Sequence, residues 1–172
     1  MNLQISTQRL ELDLISGSDA SFIHALVNTQ GWLANIGDRN IHSNEAALEY
    51  INKISAIPGQ YLWVARLKEE HTPIGVISFL KRDYLEHFDI GFAFLPAYHG
   101  KGYAFEATAA VLKNVAQAGH DPVLAITLPR NSSSIRLLEK LGMHFETALT
   151  SQPQYLHMYS NAQKTEPLPY SS

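Results

Sequence analysis

Two stretches of the chain carry residues whose types and spacing could do chemistry. The first is the turn His99-Gly100-Lys101-Gly102, which follows the apolar, aromatic run from Phe88 to Leu95 and the stop at Pro96. Proline cannot donate to a ladder, so the run reads as a strand that ends there. From Tyr103 and Ala104 the pattern opens a helix. A glycine turn feeding a helix N-terminus offers several free N–H groups and the positive end of the helix dipole, a site suited to a phosphate. Gly100 and Gly102 allow positive φ and keep Cβ atoms away from a ligand. Lys101 adds a mobile positive charge. An ordinary strand-turn-helix connection would look the same over so few residues. Two other phosphate signatures do not fit. A dinucleotide fingerprint requires glycine where Phe105 stands, and a P-loop requires Ser or Thr where Gly102 stands. The second stretch is Asn131-Ser-Ser-Ser134-Ile-Arg-Leu-Leu-Glu-Lys-Leu-Gly-Met143. As structure it is a capped amphipathic helix with Ile135, Leu138 and Leu141 turned to a core.

Together the two stretches resemble the signature of the GNAT superfamily of N-acetyltransferases. His99-Gly100-Lys101-Gly102-Tyr103-Ala104 is similar to motif A, Q/R-x-x-G-x-G/A, with His in the first place. The second stretch is similar to motif B, N-x-x-S/A-x-x-L-x-E-K-x-G-F/M. They stand in the family's order, about 30 residues apart. The phrase Gly-Lys-Gly-Tyr-Ala with Glu106-Ala107 close behind, and the opening Thr7-Gln-Arg-Leu10, resemble the ribosomal-protein N-terminal acetyltransferase (RimJ/RimL) branch. The resemblance runs from about Thr7 to Tyr159.

It implies an acetyl-CoA-dependent N-acetyltransferase. Acetyl-CoA would lie in a V-shaped gap between the strand ending near Phe94 and the strand Val123–Leu128. The implied cofactor-binding set is Phe94, Leu95, His99, Gly100, Lys101, Gly102, Tyr103, Ala104, Asn131 and Ser134. Within it the N–H groups of residues 100 to 104 take the pyrophosphate, and Phe92 to Leu95 flank the pantetheine arm. A backbone N–H near Phe94 would hold the thioester carbonyl and its developing oxyanion. The amine acceptor attacks directly, because a chain without cysteine has no acyl-cysteine route.

An amine is mostly protonated at neutral pH and needs a base. Asp89 stands where the branch usually has Glu, and His87 shares its face in a regular strand. Either could act through water, and both could equally be solvated or structural. Many family members carry a Tyr seven residues after the motif B Asn, but here that place is Leu138. Ser134 or a water it holds, Tyr155 and Tyr159 are the substitutes for a general acid, which a good thiolate leaving group can also do without. The family shapes its acceptor pocket with the region from Gly31 to His42, so Trp32, His42, Glu86 and His87 are rim candidates. A protein N-terminus, a polyamine or another small amine all fit as acceptor. A non-catalytic acyl-CoA-binding protein on the same scaffold and a nucleotide-binding module using the same turn are the two alternatives.

The elements that must position these residues read as follows. Thr7–Ile15 alternates as a half-buried strand. Ser18-Asp19 caps a helix to Asn28, and Ser43 opens a second to about Ile57, with Ala47, Leu48, Ile51 and Ile54 inward. Tyr61–Leu67 and Pro73–Leu80 form a hairpin that leads to the strand ending at Pro96. A helix to Gly119, the strand Val123–Leu128, the motif B helix and a final hairpin (Met143–Leu149, Tyr155–Tyr159) complete the chain. The expectation is an α/β (α+β) GNAT fold, with a central mixed, mostly antiparallel sheet of about six to seven strands flanked by about four helices. One domain would span residues 1–160, followed by a loosely ordered tail at 161–172.

Composition bounds the rest. The 172 residues are 45% hydrophobic and 17% charged, an ordinary globular balance for one domain. The net charge of −3, with no basic run, disfavours nucleic acid, so an anionic ligand needs a local site. The absence of cysteine excludes a disulfide framework and a thiolate metal site. No apolar run reaches a membrane-spanning length. The expected protein is cytoplasmic, a monomer or homodimer, without metal.

Overall fold

The computed structural model describes residues 1–163. Eight strands form one sheet: β1 (Ile5–Ser6), β2 (Leu10–Leu14), β3 (Tyr61–Leu67), β4 (Pro73–Lys81), β5 (Phe88–Phe94), β6 (Leu124–Thr127), β7 (His144–Leu149) and β8 (Leu156–Ser160). Their order is β1-β2-β3-β4-β5-β6-β8-β7. Every neighbouring pair is antiparallel except β5 and β6. Five helices accompany them: α1 (Ala20–Val27), α2 (Gln30–Asn35), α3 (Asn44–Ser55), α4 (Tyr103–Gln117) and α5 (Ser132–Lys140).

Period-2 alternation sends the strand side chains into two cores. Trp63, Phe79, Ile90 and Phe94 pack with Val111 and Val115 of α4 and Leu138 of α5. Val64 and Val76, on the opposite face, pack with Phe22 and Leu26 of α1 and Ile51 of α3. Each such buried aliphatic or aromatic side chain contributes about 1.5–3 kcal/mol relative to exposure. The sheet is therefore a rigid floor, with α4 and α5 on one side and α1 to α3 on the other.

The architecture is the mixed, mostly antiparallel sheet read from the sequence, with more elements than expected. The strand expected at Thr7–Ile15 is β2 alone, with β1 before it, because Thr7 turns the chain: its N–H donates to the Leu10 carbonyl at 2.9 Å. The start of the region from Gly31 to His42, where Trp32, Leu33 and Ile36 read as a short helix or a covering loop, is α2, whose first turn is capped by Thr29 Oγ1 accepting from the Trp32 N–H at 3.3 Å. The entry to α1 also differs. Ser16, not Ser18, begins it: the Ser16 N–H donates to Asp19 Oδ2 at 2.9 Å, and a 3-10 turn at Gly17–Asp19 precedes the helix. Asp19 is buried because its carboxylate also meets Arg66. Leu48, expected inward on α3, is 40% exposed. The expected tail begins at 161, and from residue 164 it lies outside the described residues. Among the described residues no helix is long and apolar enough to cross a membrane.

Candidate functional site

The site begins with a defect in the sheet. β5 and β6 share a single register pair, Asp89 with Leu124. On its other edge β6 pairs over its whole length with β8, while the second half of β5 bonds only to β4. The two parallel strands thus part toward their C-terminal ends and leave a V-shaped opening. The Leu95 N–H donates to the Ile74 carbonyl at 2.9 Å. N–H directions alternate along an antiparallel pair, so those of Phe92 and Phe94 point into the opening. The Phe94 ring itself lies over β4, in the core, because its register partner is Gly75: a Cβ on Gly75 would sit 2.3 Å from the ring.

Both chemistry-bearing stretches leave the sheet at this open end, one after β5 and one after β6. That is where ligands bind parallel strands. After Leu95 the chain makes a 3-10 turn, Pro96–Tyr98, that the sequence pattern did not announce. Gly100 and Gly102 then take left-handed φ values of 72° and 82°, and Gly102 is the N-cap of α4. A helix start has no intrahelical acceptor for its first N–H groups. Among the described residues none accepts from the N–H of Gly100, Lys101 or Gly102. Tyr103 and Ala104 supply the first residues of the helix behind them. The His99 ring closes the turn from below, with Nε2 2.8 Å from the Phe94 carbonyl oxygen. The residue that departs from the family pattern thus has a local task, tying the turn to the strand end.

An unexpected bracket holds the turn from outside. Arg9 donates from Nη1 to the Lys101 carbonyl at 3.0 Å and from Nε to Glu106 Oε2 at 2.6 Å, while its guanidinium lies 4.3 Å from the centre of the Tyr103 ring. Glu106 Oε1 accepts from the Thr7 hydroxyl at 2.6 Å and from the Arg9 N–H at 2.8 Å. Burial pushes the Glu106 carboxyl up, but the Thr7 hydroxyl, the Arg9 N–H and the guanidinium together hold it below the usual range. The sequence marks Thr7, Arg9 and Glu106 only as parts of a strand opening and of a family phrase, and their meeting is not visible in it.

Across the opening, Asn131 begins α5. Its Oδ1 accepts from the Ser134 N–H at 3.3 Å and from the Ser133 hydroxyl at 2.9 Å, and the Ser134 side chain is half-buried. Arg130, one residue earlier, reaches over to α2 and donates from Nη2 to the Ala34 carbonyl at 3.0 Å. Leu138 is buried in the core. Tyr159 is buried too, and burial, with Glu139 nearby, pushes its phenol up. Tyr155 is exposed.

Asp89 and His87 stand at the other, closed end of the V. Asp89 is 1% exposed and accepts from Arg82 Nε at 2.9 Å. Burial pushes its carboxyl up; the Arg82 charge and hydrogen bond offset this only in part. Asp89 is three residues from Phe92 and five from Phe94, about 10 and 17 Å along a strand. A proton taken from an amine there reaches it only through water. His87 is half-buried and lines a cavity of about 390 Å³ with Glu86, Leu124, Glu146 and Met158.

Comparisons with known proteins agree with this geometry. The family model described as the Acetyltransferase (GNAT) domain matches residues 9–144. The chain is 28% identical over 145 residues to the uncharacterized N-acetyltransferase YnaD of Bacillus subtilis (strain 168), covering 84% of each chain. It matches the crystal structure of ribosomal-protein-S5-alanine acetyltransferase from Vibrio fischeri with a TM-score of 0.80 and 19% identity, over 96% of this chain and 100% of that one. It matches RimL, a ribosomal L7/L12 alpha-N-protein acetyltransferase in complex with coenzyme A, with a TM-score of 0.79 and 16% identity, over 91% and 96% of the two chains. The two structural likenesses speak for the fold.

Proposed function

The chain belongs to the GNAT acetyltransferases, and on that premise we propose that it moves an acetyl group from acetyl-CoA to a primary amine by direct attack in a ternary complex. The observation that carries this reading is the parted β5–β6 pair with a two-glycine turn at its open end. The turn fits a pyrophosphate: two left-handed glycines, N–H groups of residues 100 to 102 that have no acceptor among the described residues, and a helix start behind them. Gly100, Lys101, Gly102, Tyr103 and Ala104 would hold the pyrophosphate. Phe94, Leu95 and His99 would define the end of the pantetheine channel, and Asn131 and Ser134 its far wall.

The bond changes are those of an acyl transfer. The amine nitrogen attacks the thioester carbonyl carbon, whose oxygen gains negative charge. The N–H groups of Phe92 and Phe94 point to that side of β5 and are the donors placed to meet it. The C–S bond then breaks and the thiolate leaves with its electron pair. The surplus ammonium proton passes through water to Asp89, which its raised pKa makes a stronger base than an ordinary carboxylate. His87, facing the cavity, is the second choice. Ser134, or a water it holds, would protonate the thiolate, since Leu138 and Tyr159 are committed to the core. The acceptor is a protein N-terminus or a small amine. The carboxylates Glu86 and Glu146 beside His87, with no lysine or arginine among the described residues that line the same cavity, favour a cationic group.

Calorimetric titration of CoA into the parent and Gly102→Val tests the phosphate site. Any Cβ at φ 82° is strained, and one at Gly102 would also lie 3.3 Å from Arg9 Nη2. Loss of about two charge-assisted N–H bonds, roughly 2 kcal/mol, raises Kd about thirtyfold. Dephospho-CoA, which keeps the pyrophosphate, loses as much. Unchanged affinity in a folded variant would remove the turn from the phosphate site.

A further inference from the structure

A buried carboxylate answers to the few groups that touch it. Asp89 has Leu80 opposite it on β4 and Leu124 beside it on β6, both apolar. Lys81, in register with Phe88, lies on the other face and donates to the Leu85 carbonyl. Glu86 and His87, just before β5, line the cavity with Glu146. Among the described residues the charge that acts on Asp89 is that of Arg82, whose Nε donates to Oδ1 at 2.9 Å. The turn that carries Arg82 is anchored: the Leu85 N–H donates to the Arg82 carbonyl at 3.1 Å, and the Leu85 side chain is buried.

The two oxygens of Asp89 are unequal. Oδ1 is taken by Arg82. Oδ2 has no partner among the described residues, yet it is not one of the side-chain atoms there that are both unpartnered and sealed, which are Trp32 Nε1 and Thr108 Oγ1. The small opening of this side chain, 2% exposed, is therefore at Oδ2. We propose that Arg82 is the positioning residue of the general base: it clamps Oδ1 and leaves Oδ2 as the oxygen that takes the proton of the acceptor amine. The assignment rests on the acetyltransferase reading with Asp89 as base. In the proton transfer, water passes the surplus ammonium proton to Oδ2. The carboxylate becomes a neutral carboxyl, and Oδ1 goes on accepting from a guanidinium that keeps its own charge.

Arg82 also sets how acid the solution becomes before the base is lost. Burial pushes the Asp89 carboxyl up, and Arg82 pulls it back. Without that charge burial acts unopposed. The base is then protonated and idle at pH values where the parent still turns over.

The pH profile of kcat separates this role from that of a salt bridge that only staples the hairpin. Thiol release is measured at saturating acetyl-CoA with whichever of alaninamide, a short peptide and spermidine turns over fastest. The amine brings the same ionisation to every variant, so a displacement between variants belongs to the enzyme. In Arg82→Gln the acid limb should move to higher pH, with kcat on the parent's limb falling at least about tenfold more than on the plateau. Arg82→Lys keeps the charge without the planar fork: its limb should stay in place while its plateau falls about tenfold. CoA affinity should match the parent in both. An equal loss at every pH in Arg82→Gln overturns the proposal. So does a parent-like plateau in Arg82→Lys, which decides the matter alone if Arg82→Gln does not fold. Carboxyl ¹³C titration, with Asp89 assigned by its loss in Asp89→Asn, needs no turnover. Its midpoint should rise in Arg82→Gln, and an unmoved midpoint overturns the proposal. No amine-dependent release from the parent at any pH overturns the acetyltransferase reading, and the proposal with it; release with an unmoved limb overturns the proposal alone.

Discussion

At the scale of single residues, Asp89 carries the sharpest prediction. It is the base of the proposed reaction, yet it is buried and held by Arg82. Asp89→Asn should lower kcat by roughly 10²-fold with CoA affinity nearly unchanged, and activity within about threefold of the parent at saturating amine would pass the role to His87. The raised pKa also fixes a sign. Between the ordinary value of 3.8 and the raised folded value, the native state binds more protons than the unfolded chain. Stability contributed by Asp89 therefore falls as pH rises through that window. Thermal melts should show the parent losing stability relative to Asp89→Asn from pH 3.8 upward, and a constant difference would contradict the burial argument. Which of these residues could be read in advance follows from range. Gly100 and Gly102 were legible because a turn is a local event, and both have the left-handed φ expected of them. The Arg82–Asp89 pair spans a hairpin, and the His99–Phe94 contact depends on a 3-10 turn that has no strong sequence signal.

At the scale of elements, the glycine turn is held by a strand far away in the chain. Thr7 and Arg9 meet Glu106 across 99 and 97 residues, so no local pattern could reveal the bracket, although the family phrases contain all three residues. Glu106 has a lowered pKa, so its contribution to stability is present above 4.5 and is lost as pH falls through the folded value. Glu106→Gln should destabilise by about 2 kcal/mol, the scale of hydrogen bonds to a charged group, and lower Tm by about 4–8 °C. It should also weaken CoA binding, because Arg9 then loses the partner that aims it at the Lys101 carbonyl. Normal CoA affinity in the destabilised variant would separate the bracket from the site. The close approach at Gly75 gives a second test. Gly75→Ala overpacks against the Phe94 ring, should cost about 1–3 kcal/mol, and should shift the Phe94 ring into the opening, raising KM for acetyl-CoA. The short helix α2 could not be told from a covering loop in the sequence, because six residues with an ordinary Thr cap fall below the length at which periodicity is informative.

At the scale of the whole molecule, a mixed sheet was legible from three consecutive antiparallel strands followed by strand-helix-strand. Its one parallel junction, where β5 and β6 part, was expected from the family resemblance and depends on pairing partners that no stretch of sequence names. The proposed function centres on the same junction: the two loops that leave its open end carry the two motifs. The account stands or falls on acetyl transfer itself. Thiol release from acetyl-CoA, measured against alaninamide, short peptides, spermidine and an aminoglycoside at varied concentrations of both substrates, tests that most directly. The account predicts amine-dependent release with one acetyl gained per thiol, intersecting initial-rate patterns of a ternary complex, and loss of activity in Gly102→Val. Tight CoA binding with no amine-dependent release from any of these acceptors would contradict it and make the chain an acyl-CoA-binding protein on this scaffold.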